Sequence, residues 1–172
     1  MIRKLSFLCG LVVLICVLAL AAAQPAAAQG IADKVEVYGG YNFTHIGDPV
    51  SISTNGWELA GEYKFAPFLG GVIDVDGTYG SGSSLHTVLF GPQVNFPARI
   101  SPFGHFLIGV GHADLPFGLE NTGFAFALGG GIDAELVPHI HWRVFQGDLV
   151  QTHLFGATEN NARISTGIVI HF

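Results

Sequence analysis

The chain has 172 residues, of which 49% are hydrophobic and 12% are charged, and it contains 24 glycines and 14 phenylalanines. Its 13 acidic residues outnumber its seven Lys and Arg residues and give a formal net charge of −6, which argues against nucleic acid as a partner because phosphate binding needs clustered basic side chains. Both cysteines, Cys9 and Cys16, lie within the first 28 residues, so the rest of the chain has no disulfide framework and no cysteine nucleophile or metal ligand.

Residues 1–28 have the pattern of a secretory signal peptide. Arg3 and Lys4 precede an apolar run over residues 5–20, and three alanines at 26–28 form a small-residue cleavage site. We predict cleavage after residue 28, because a cut after residue 23 would leave a proline two positions beyond it. A short lead over residues 29–34 and one domain over residues 35–172 would remain.

The remaining chain is poor in charge for a soluble domain. It has 13 acidic residues and five basic ones, Lys34, Lys64, Arg99, Arg143 and Arg163. No later stretch holds 18 consecutive apolar residues, so the sequence predicts no transmembrane helix. A closed β-barrel is the other structure in which an exported, apolar chain can cross a bilayer.

Eight segments with alternating hydrophobicity follow, and turn residues separate them. They cover residues 35–44, 55–65, 69–79, 85–96, 102–113, 123–136, 140–152 and 161–172. Pro92 predicts a bulge or a missing ladder bond in the fourth segment. The seventh changes parity, which predicts a β-bulge near Val144 and Phe145.

The connections between these segments alternate in length. Four longer polar ones, at 45–54, 80–84, 114–122 and 157–160, alternate with three shorter ones that contain proline, at 66–68, 97–101 and 137–139. This pattern predicts an all-β fold of eight antiparallel up-and-down strands, with both termini at the short-turn rim. Long outer loops and short periplasmic turns are typical of outer-membrane barrels.

We predict that the polar faces of the strands line the lumen and that the apolar faces meet lipid. Small residues over 125–131 on the polar face fit the inside of a narrow barrel. The predicted lumen charge network, with a structural role, comprises Glu58, Glu62, Asp74, Asp76, Asp133, Glu135, Arg143, Gln146, Asp148 and Arg163. Aromatic residues at the strand ends of the apolar face resemble interfacial girdles, and these are Tyr41, Phe43, Trp57, Phe65, Tyr79, Phe124 and Trp142.

The register of two hairpins predicts two contacts between side chains inside the lumen. Pairing about the turn at 137–139 sets Asp133 opposite Arg143, which predicts an ion pair. Pairing about the turn at 66–68 sets Glu58 opposite Asp76. Like charges in opposed positions destabilise a sheet, so one carboxyl is expected to be protonated, hydrated or bound to a cation.

Two further predictions follow from the sequence of the last strand. Phe172, with Ile170 and Ile168 on the same face, resembles the assembly signal that the outer-membrane barrel insertion machinery reads. Closure of the barrel places this strand beside the first one and brings His171 near Glu36.

Four stretches of the chain then resemble a known family. Residues 102–109 read PFGHFLIG, residues 124–133 read FAFALGGGID, residues 142–148 read WRVFQGD and residues 161–168 read NARISTGI. They resemble the small outer-membrane β-barrel domain family, porin-like proteins related in architecture to OmpA and OmpX, over most of residues 35–172. One departure is Leu149, where the family would have Tyr.

The resemblance implies an eight-stranded transmembrane barrel in a Gram-negative outer membrane, with no catalytic residues and no cofactor. Its expected partners are outer-membrane lipid and lipopolysaccharide, and the barrel-assembly machinery and periplasmic chaperones during biogenesis. An eight-stranded barrel is too narrow for an open solute channel. We therefore predict a structural or surface-interaction role.

Two other functions compete with this one. A secreted lipocalin-like carrier has the same strand count with the opposite polarity. A lipid A-modifying barrel enzyme would need a nucleophile and a base at the outer rim. For that role only Ser83, Ser84 and His86 lie close in sequence, and His112 and Asp114 are not expected to reach them.

One metal pattern is also present. His139 and His141 have a spacing that could bind zinc from one strand face, but no further ligand is evident. A turn histidine is the favoured interpretation, and the sequence predicts no metal or cofactor site.

Overall fold

The computed structural model describes residues 34–46, 52–80, 82–116, 119–154 and 156–172. The predicted signal peptide therefore lies outside the described residues, as does the predicted lead except for Lys34. The strands are β1 (Val35–Ile46), β2 (Ile52–Ala66), β3 (Leu69–Gly80), β4 (Ser83–Asn95), β5 (Ile100–Leu115), β6 (Leu119–Val137), β7 (Ile140–Leu154) and β8 (Ala157–His171). Among these residues, no helix has the length and apolar character that a membrane-crossing helix requires.

The eight strands form a closed antiparallel barrel in sequence order, as predicted. Each strand pairs with its neighbours in the chain, and β8 pairs with β1 to close the cylinder. Closure pairs the edges of the first and last strands. The start of β1 and the end of β8 lie at the rim of the three proline-containing turns, which we call the termini end. The opposite rim is the loop end.

The two faces of the strands follow the period-two alternation of the sequence. Large apolar side chains point outward, and Phe65, Ile73 and Leu149 are 61–70% exposed. Charged side chains point inward, and Glu58 and Arg163 are at most 2% exposed. The prediction that the apolar faces point outward is thus confirmed.

Both predicted irregularities are present. In β7 the register shifts between Arg143 and Gln146, and Val144 is the extra residue of a β-bulge, so that Val144 and Phe145 both face outward. In β4, Phe90 and Gln93 pair with β5 in the same register, and Gly91 and Pro92 between them have no partner on that strand. Pro92 therefore marks a missing ladder pair rather than a bulge.

The strand ends at the loop end differ from the prediction of four long loops. Within the described residues, three of these connections are tight: β3 and β4 are separated by residues 81–82, β5 and β6 by 116–118, and β7 and β8 by 155–156. Gly82 and Gly156 have φ of 83° and 75°, in the region that hairpin turns need and glycine favours. Most of the fourth connection, residues 47–51, lies outside the described residues.

The physical reason for this difference is that polar side chains continue the strand pairing beyond the apolar belt. His153 Nδ1 lies 2.9 Å from Thr158 Oγ1, and Gln151 Nε2 donates to Asn160 Oδ1 at 2.6 Å. Both pairs cross from β7 to β8. A polar segment without hydrophobic alternation was therefore predicted as loop, although it continues as a strand.

Candidate functional site

Arg163 is the centre of the buried charge network. Its Nε and Nη2 atoms donate to Asp148 Oδ2 at 3.0 and 2.8 Å, and its Nη1 donates to Asp74 Oδ1 at 3.1 Å and Asp76 Oδ1 at 3.0 Å. Glu58 Oε2 lies 3.8 Å from Nε. One guanidinium therefore faces four carboxylates on three other strands. The opposed pair of Glu58 and Asp76, for which a protonated, hydrated or cation-bound carboxyl is expected, has this guanidinium beside both of its carboxyl groups.

Arg143 forms a second centre nearer the termini end. Its Nε and Nη2 atoms donate to the two oxygens of Asp133 at 2.8 and 3.0 Å, which is the bidentate geometry of strong Arg–carboxylate pairs. The guanidinium carbon lies 4.4 Å from the ring centre of Tyr38 and 4.1 Å from that of Phe103. Cation–π contact on two sides therefore adds to the ion pair.

Gln146 and His105 connect the two centres. Gln146 accepts from Arg143 Nη1 at 2.7 Å and donates from Nε2 to Glu58 at 2.7 Å and to Asp148 at 2.8 Å. His105 Nε2 lies 2.8 Å from the other oxygen of Asp148. The two arginine centres thus belong to one linked network, in which each of these charges has a partner of opposite charge, as burial requires.

A third group of polar side chains lies at the termini end. Glu62 accepts hydrogen bonds from the amides of Gln93, at 2.7 Å, and Asn95. Glu36 is paired with Lys64 and lies 2.9 Å from His171 Nδ1, in the position that barrel closure predicts.

Sequence reasoning assigned one residue to this network that lies outside it, and it missed others. Glu135 is exposed near the end of β6, because the strand ends two residues later and carries the side chain to the rim. Sequence analysis missed the roles of Tyr38, Phe103 and His105. Their inward parity was visible in the alternation, but their contacts cross the barrel.

Inward side chains of the described strands pack against one another inside the barrel. Beside the network, inward apolar side chains pack together, among them Leu89, Leu107, Val150 and Val169, all at most 5% exposed. A space of about 10 Å³ near the loop end holds one water molecule at most.

The outward face carries the predicted aromatic residues. Tyr41, Phe43, Trp57, Phe65, Tyr79, Phe124 and Trp142 are 39–70% exposed. The indole NH groups have polar partners: Trp57 donates to the Tyr79 hydroxyl at 3.3 Å and Trp142 to Thr166 Oγ1 at 3.1 Å. Amphipathic rings of this kind favour a boundary between apolar and wet layers.

The residues of the predicted assembly signal lie beside the closing seam. Phe172 N donates to Val35 O at 2.8 Å, and Val35 N donates to Phe172 O at 3.3 Å. Ile168, Ile170 and Phe172 are at least partly exposed on the outer face. They therefore form an apolar edge beside the first strand.

The loop end brings together residues that were not expected to meet. Ser84 Oγ donates to Asp114 Oδ2 at 3.2 Å, and His112 Nε2 lies 3.3 Å from Asp114 Oδ1. The carboxylate therefore stands between the hydroxyl and the imidazole, and Ser83 Oγ donates to Gly80 O instead. In the described part of the chain neither serine has a hydrogen bond to a histidine, the base that most often activates a serine nucleophile.

The two histidines of the zinc-like spacing lie in different elements at the termini end. His139 is in the turn between β6 and β7, with a φ of 67°, and its carbonyl accepts from His171 N at 2.9 Å. His141 is the second residue of β7, and its ring packs against the His171 ring with centroids 4.1 Å apart. Both residues therefore contact His171, one through its backbone and the other through its ring.

Comparison with known proteins finds proteins of similar structure. No protein-family model matches the sequence, and no curated protein matches it. The barrel is similar to Neisserial surface protein A, with a TM-score of 0.66 and 11% identity over 80% of this chain and 97% of that one. It is also similar to Ail, the attachment invasion locus protein of Yersinia pestis, with a TM-score of 0.56 and 15% identity over 81% and 99%.

A third similar structure is the N-terminal β-barrel domain of Pseudomonas aeruginosa OprF, with a TM-score of 0.50 and 10% identity over 81% of this chain and 98% of that one. The chain has the fold of the small eight-stranded outer-membrane β-barrels. At these identities the similarity concerns the fold. The strands of this fold begin with Val35 in β1 and end with His171 in β8.

Within this small outer-membrane barrel fold, Gly129 leaves room for the charge network. A methyl group on Gly129 would overlap the Asp148 carboxylate and the Gly147 carbonyl. We expect Gly129→Ala to destabilise the barrel by about 1–3 kcal/mol, as overpacking typically does, because Asp148 would have to leave Arg163 and His105. The midpoint of urea unfolding in detergent micelles measures the change.

Gly61→Ala is the matched control, because Gly61 points outward and an added methyl group would meet no atom within 4 Å. We expect its midpoint to equal or slightly exceed that of the unmodified protein. Equal midpoints for the two variants would show that the Asp148 cluster tolerates displacement.

Proposed function

We propose that the protein is an integral outer-membrane β-barrel of a Gram-negative bacterium, exported by a cleaved signal peptide, with a structural or surface-interaction role. The observation that carries this proposal is the inverted polarity of the barrel. Leu128, Phe90 and Ile73 are 55–61% exposed on the outer face, while Asp74 and Arg163 are 1% exposed inside.

This polarity fits a lipid environment better than water. A continuous apolar belt on a monomer in water would exceed the patches that soluble proteins tolerate. A lipocalin-like carrier has apolar residues inside and charges outside. The buried network around Arg163 and Arg143 also occupies the space in which a carrier would hold its ligand.

The filled interior supports a barrel that neither conducts freely nor catalyses. Eight strands leave room for side chains only, and the packed residues around Leu89 and Leu107 occupy that room here. At the loop end, Ser84 is hydrogen-bonded to the Asp114 carboxylate and, among the described residues, not to a histidine, the usual base beside a nucleophilic serine. We therefore assign the protein to the porin-like, OmpA/OmpX-type barrels by architecture without proposing porin or enzyme activity.

The partners that we propose follow from this placement. They are outer-membrane lipid and lipopolysaccharide along the belt, and periplasmic chaperones and the barrel-assembly machinery, which would read Phe172, during biogenesis. The Yersinia pestis protein Ail has been crystallised with the heparin analogue sucrose octasulfate. This chain has no Lys or Arg at its loop end, so we propose no polyanion binding by basic side chains.

Cell fractionation with gel electrophoresis tests the placement. We expect the protein in the outer-membrane fraction, extractable by detergent, with a folded band that migrates differently from the boiled band. Eight hydrogen-bonded strands closed on themselves keep the unboiled barrel compact in the gel.

The control is a chain lacking residues 161–172, which cannot close between β8 and β1 and should show no shift on boiling. Recovery of the full-length protein in the periplasmic fraction, soluble without detergent, would contradict the proposal and favour the carrier.

A further inference from the structure

The outward face of the loop end carries a group of metal-ligating side chains on neighbouring strands. His112 and Asp114 on β5 and Glu120 on β6 each offer one ligand atom, and these atoms lie within 4.8 Å of one another. In the described part of the chain, no other group of three such residues meets that distance. His112 and Asp114 share a face because they are two residues apart on a strand, and Asp114 is the direct cross-strand partner of Glu120.

Hydrogen bonds to the remaining polar atoms of His112 and Asp114 orient their ligand atoms. His112 Nδ1 lies 2.7 Å from Thr122 Oγ1, which leaves Nε2 facing Asp114. Ser84 Oγ donates to Asp114 Oδ2 and leaves Oδ1 on the side of the imidazole. Metal-binding histidines and carboxylates are usually oriented in this way by partners on their remaining polar atoms.

The charges at this position also favour the binding of a cation. Asp114 and Glu120 are directly opposed like charges, which destabilise a strand pair. None of the basic side chains after residue 28 is available to them. Arg143 and Arg163 are buried in the lumen, and Lys34, Lys64 and Arg99 lie near the termini end.

From these contacts we infer that His112, Asp114 and Glu120 form a surface site for a divalent transition-metal ion of the zinc type. One imidazole nitrogen with two carboxylate oxygens is a ligand set suited to Zn²⁺, whereas Ca²⁺ and Mg²⁺ prefer oxygen ligands alone. The side chains of His112 and Asp114 are both 43% exposed, so a fourth position stays open to water or to an oxygen of another molecule.

The site has a consequence for the loop end as a whole. A bound divalent ion would supply positive charge on a rim where the sequence provides none. His86 on β4 is the cross-strand partner of His112 on the same outward face and packs edge-on against Tyr79 at 5.4 Å. The site thus lies beside the aromatic residues that mark the edge of the apolar belt.

Zn²⁺ titration of the purified protein tests the inference. The full chain, expressed without a polyhistidine tag and extracted from whichever cell fraction contains it, is titrated with Zn²⁺ by calorimetry. We expect one saturable equivalent per barrel. We also expect at least tenfold weaker affinity in His112→Gln and in Glu120→Gln, since each removes one of three ligands. Excess Ca²⁺ or Mg²⁺ should leave the Zn²⁺ isotherm unchanged.

His153→Gln is the matched control. His153 also lies outward at the loop end with a ring nitrogen 2.9 Å from a cross-strand threonine, Thr158, and it belongs to no such ligand group. It should retain the affinity of the unmodified protein. Band migration before and after boiling verifies that each variant is folded. No saturable binding by the folded protein, or equal losses in His112→Gln and His153→Gln, would overturn the inference. Neither outcome would bear on the membrane placement.

Discussion

Replacing Arg163 with methionine is expected to destabilise the barrel by about 3–5 kcal/mol, the usual cost of leaving a buried ion pair without one partner. The guanidinium is 1% exposed and lies within 4 Å of Asp74, Asp76, Asp148 and Glu58. Methionine preserves much of the volume but leaves these carboxylates facing one another. We expect little folded band in the membrane fraction and a large fall in the urea midpoint of any protein that folds.

Two further variants distinguish lost charge from lost packing. Arg99→Met removes an exposed guanidinium at the termini end and should leave the midpoint within experimental error. Adding Asp76→Asn and Asp148→Asn to Arg163→Met removes two of the opposed charges and should recover part of the lost stability. A single Arg163→Met variant as stable as Arg99→Met would show that the carboxylates do not depend on Arg163 for charge balance.

Arg163 also shows how much of the charge network can be predicted from the sequence alone. The inward direction of Arg163 follows from alternation, which is a local property of any strand. Its partners Asp74 and Asp76 do not follow, because they lie on β3, across the lumen from β8, whereas Asp148 is its cross-strand partner on β7. The Asp133–Arg143 pairing could be predicted from the sequence because those residues flank one short turn.

Strand ends were harder to predict than strand faces. Alternation of polar and apolar residues reports the part of a strand that meets an apolar layer, and it disappears where both faces are polar. Beyond that layer, the sequence predicts loops at residues such as Thr122 and Thr158, although the structure continues the ladder there.

The group around Asp114 was missed for a related reason. Its assembly depends on the register between β4 and β5, which the proline-containing turn at 97–101 sets. The sequence of that turn does not fix how many residues remain unpaired. In the structure Ser84 pairs with Asp114 and His86 with His112, a register that one residue of slippage would abolish.

A charge on the outer face is the sharpest test of what surrounds this barrel. Leu128 is 55% exposed on the outer face of β6, near the middle of the outward apolar positions between Phe124 and Leu136. We expect Leu128→Arg to destabilise the barrel by about 2–4 kcal/mol in lipid, the cost of arginine near the bilayer midplane. In water the same substitution on an exposed site would cost almost nothing. Urea unfolding in phospholipid vesicles measures the difference.

Leu136→Arg provides the comparison on the same face of the same strand. Leu136 is 56% exposed next to the last residue of β6, at the termini end and beyond the partner of Trp142, so an arginine there should cost no more than about 1 kcal/mol. The exposed fractions of the two leucines match, and their depth along the barrel differs. A large loss of stability at Leu128 with a small one at Leu136 therefore reports a layer of hydrocarbon around the belt. Equal, small losses at both positions would mean that the belt faces water, and the proposed membrane placement would fail.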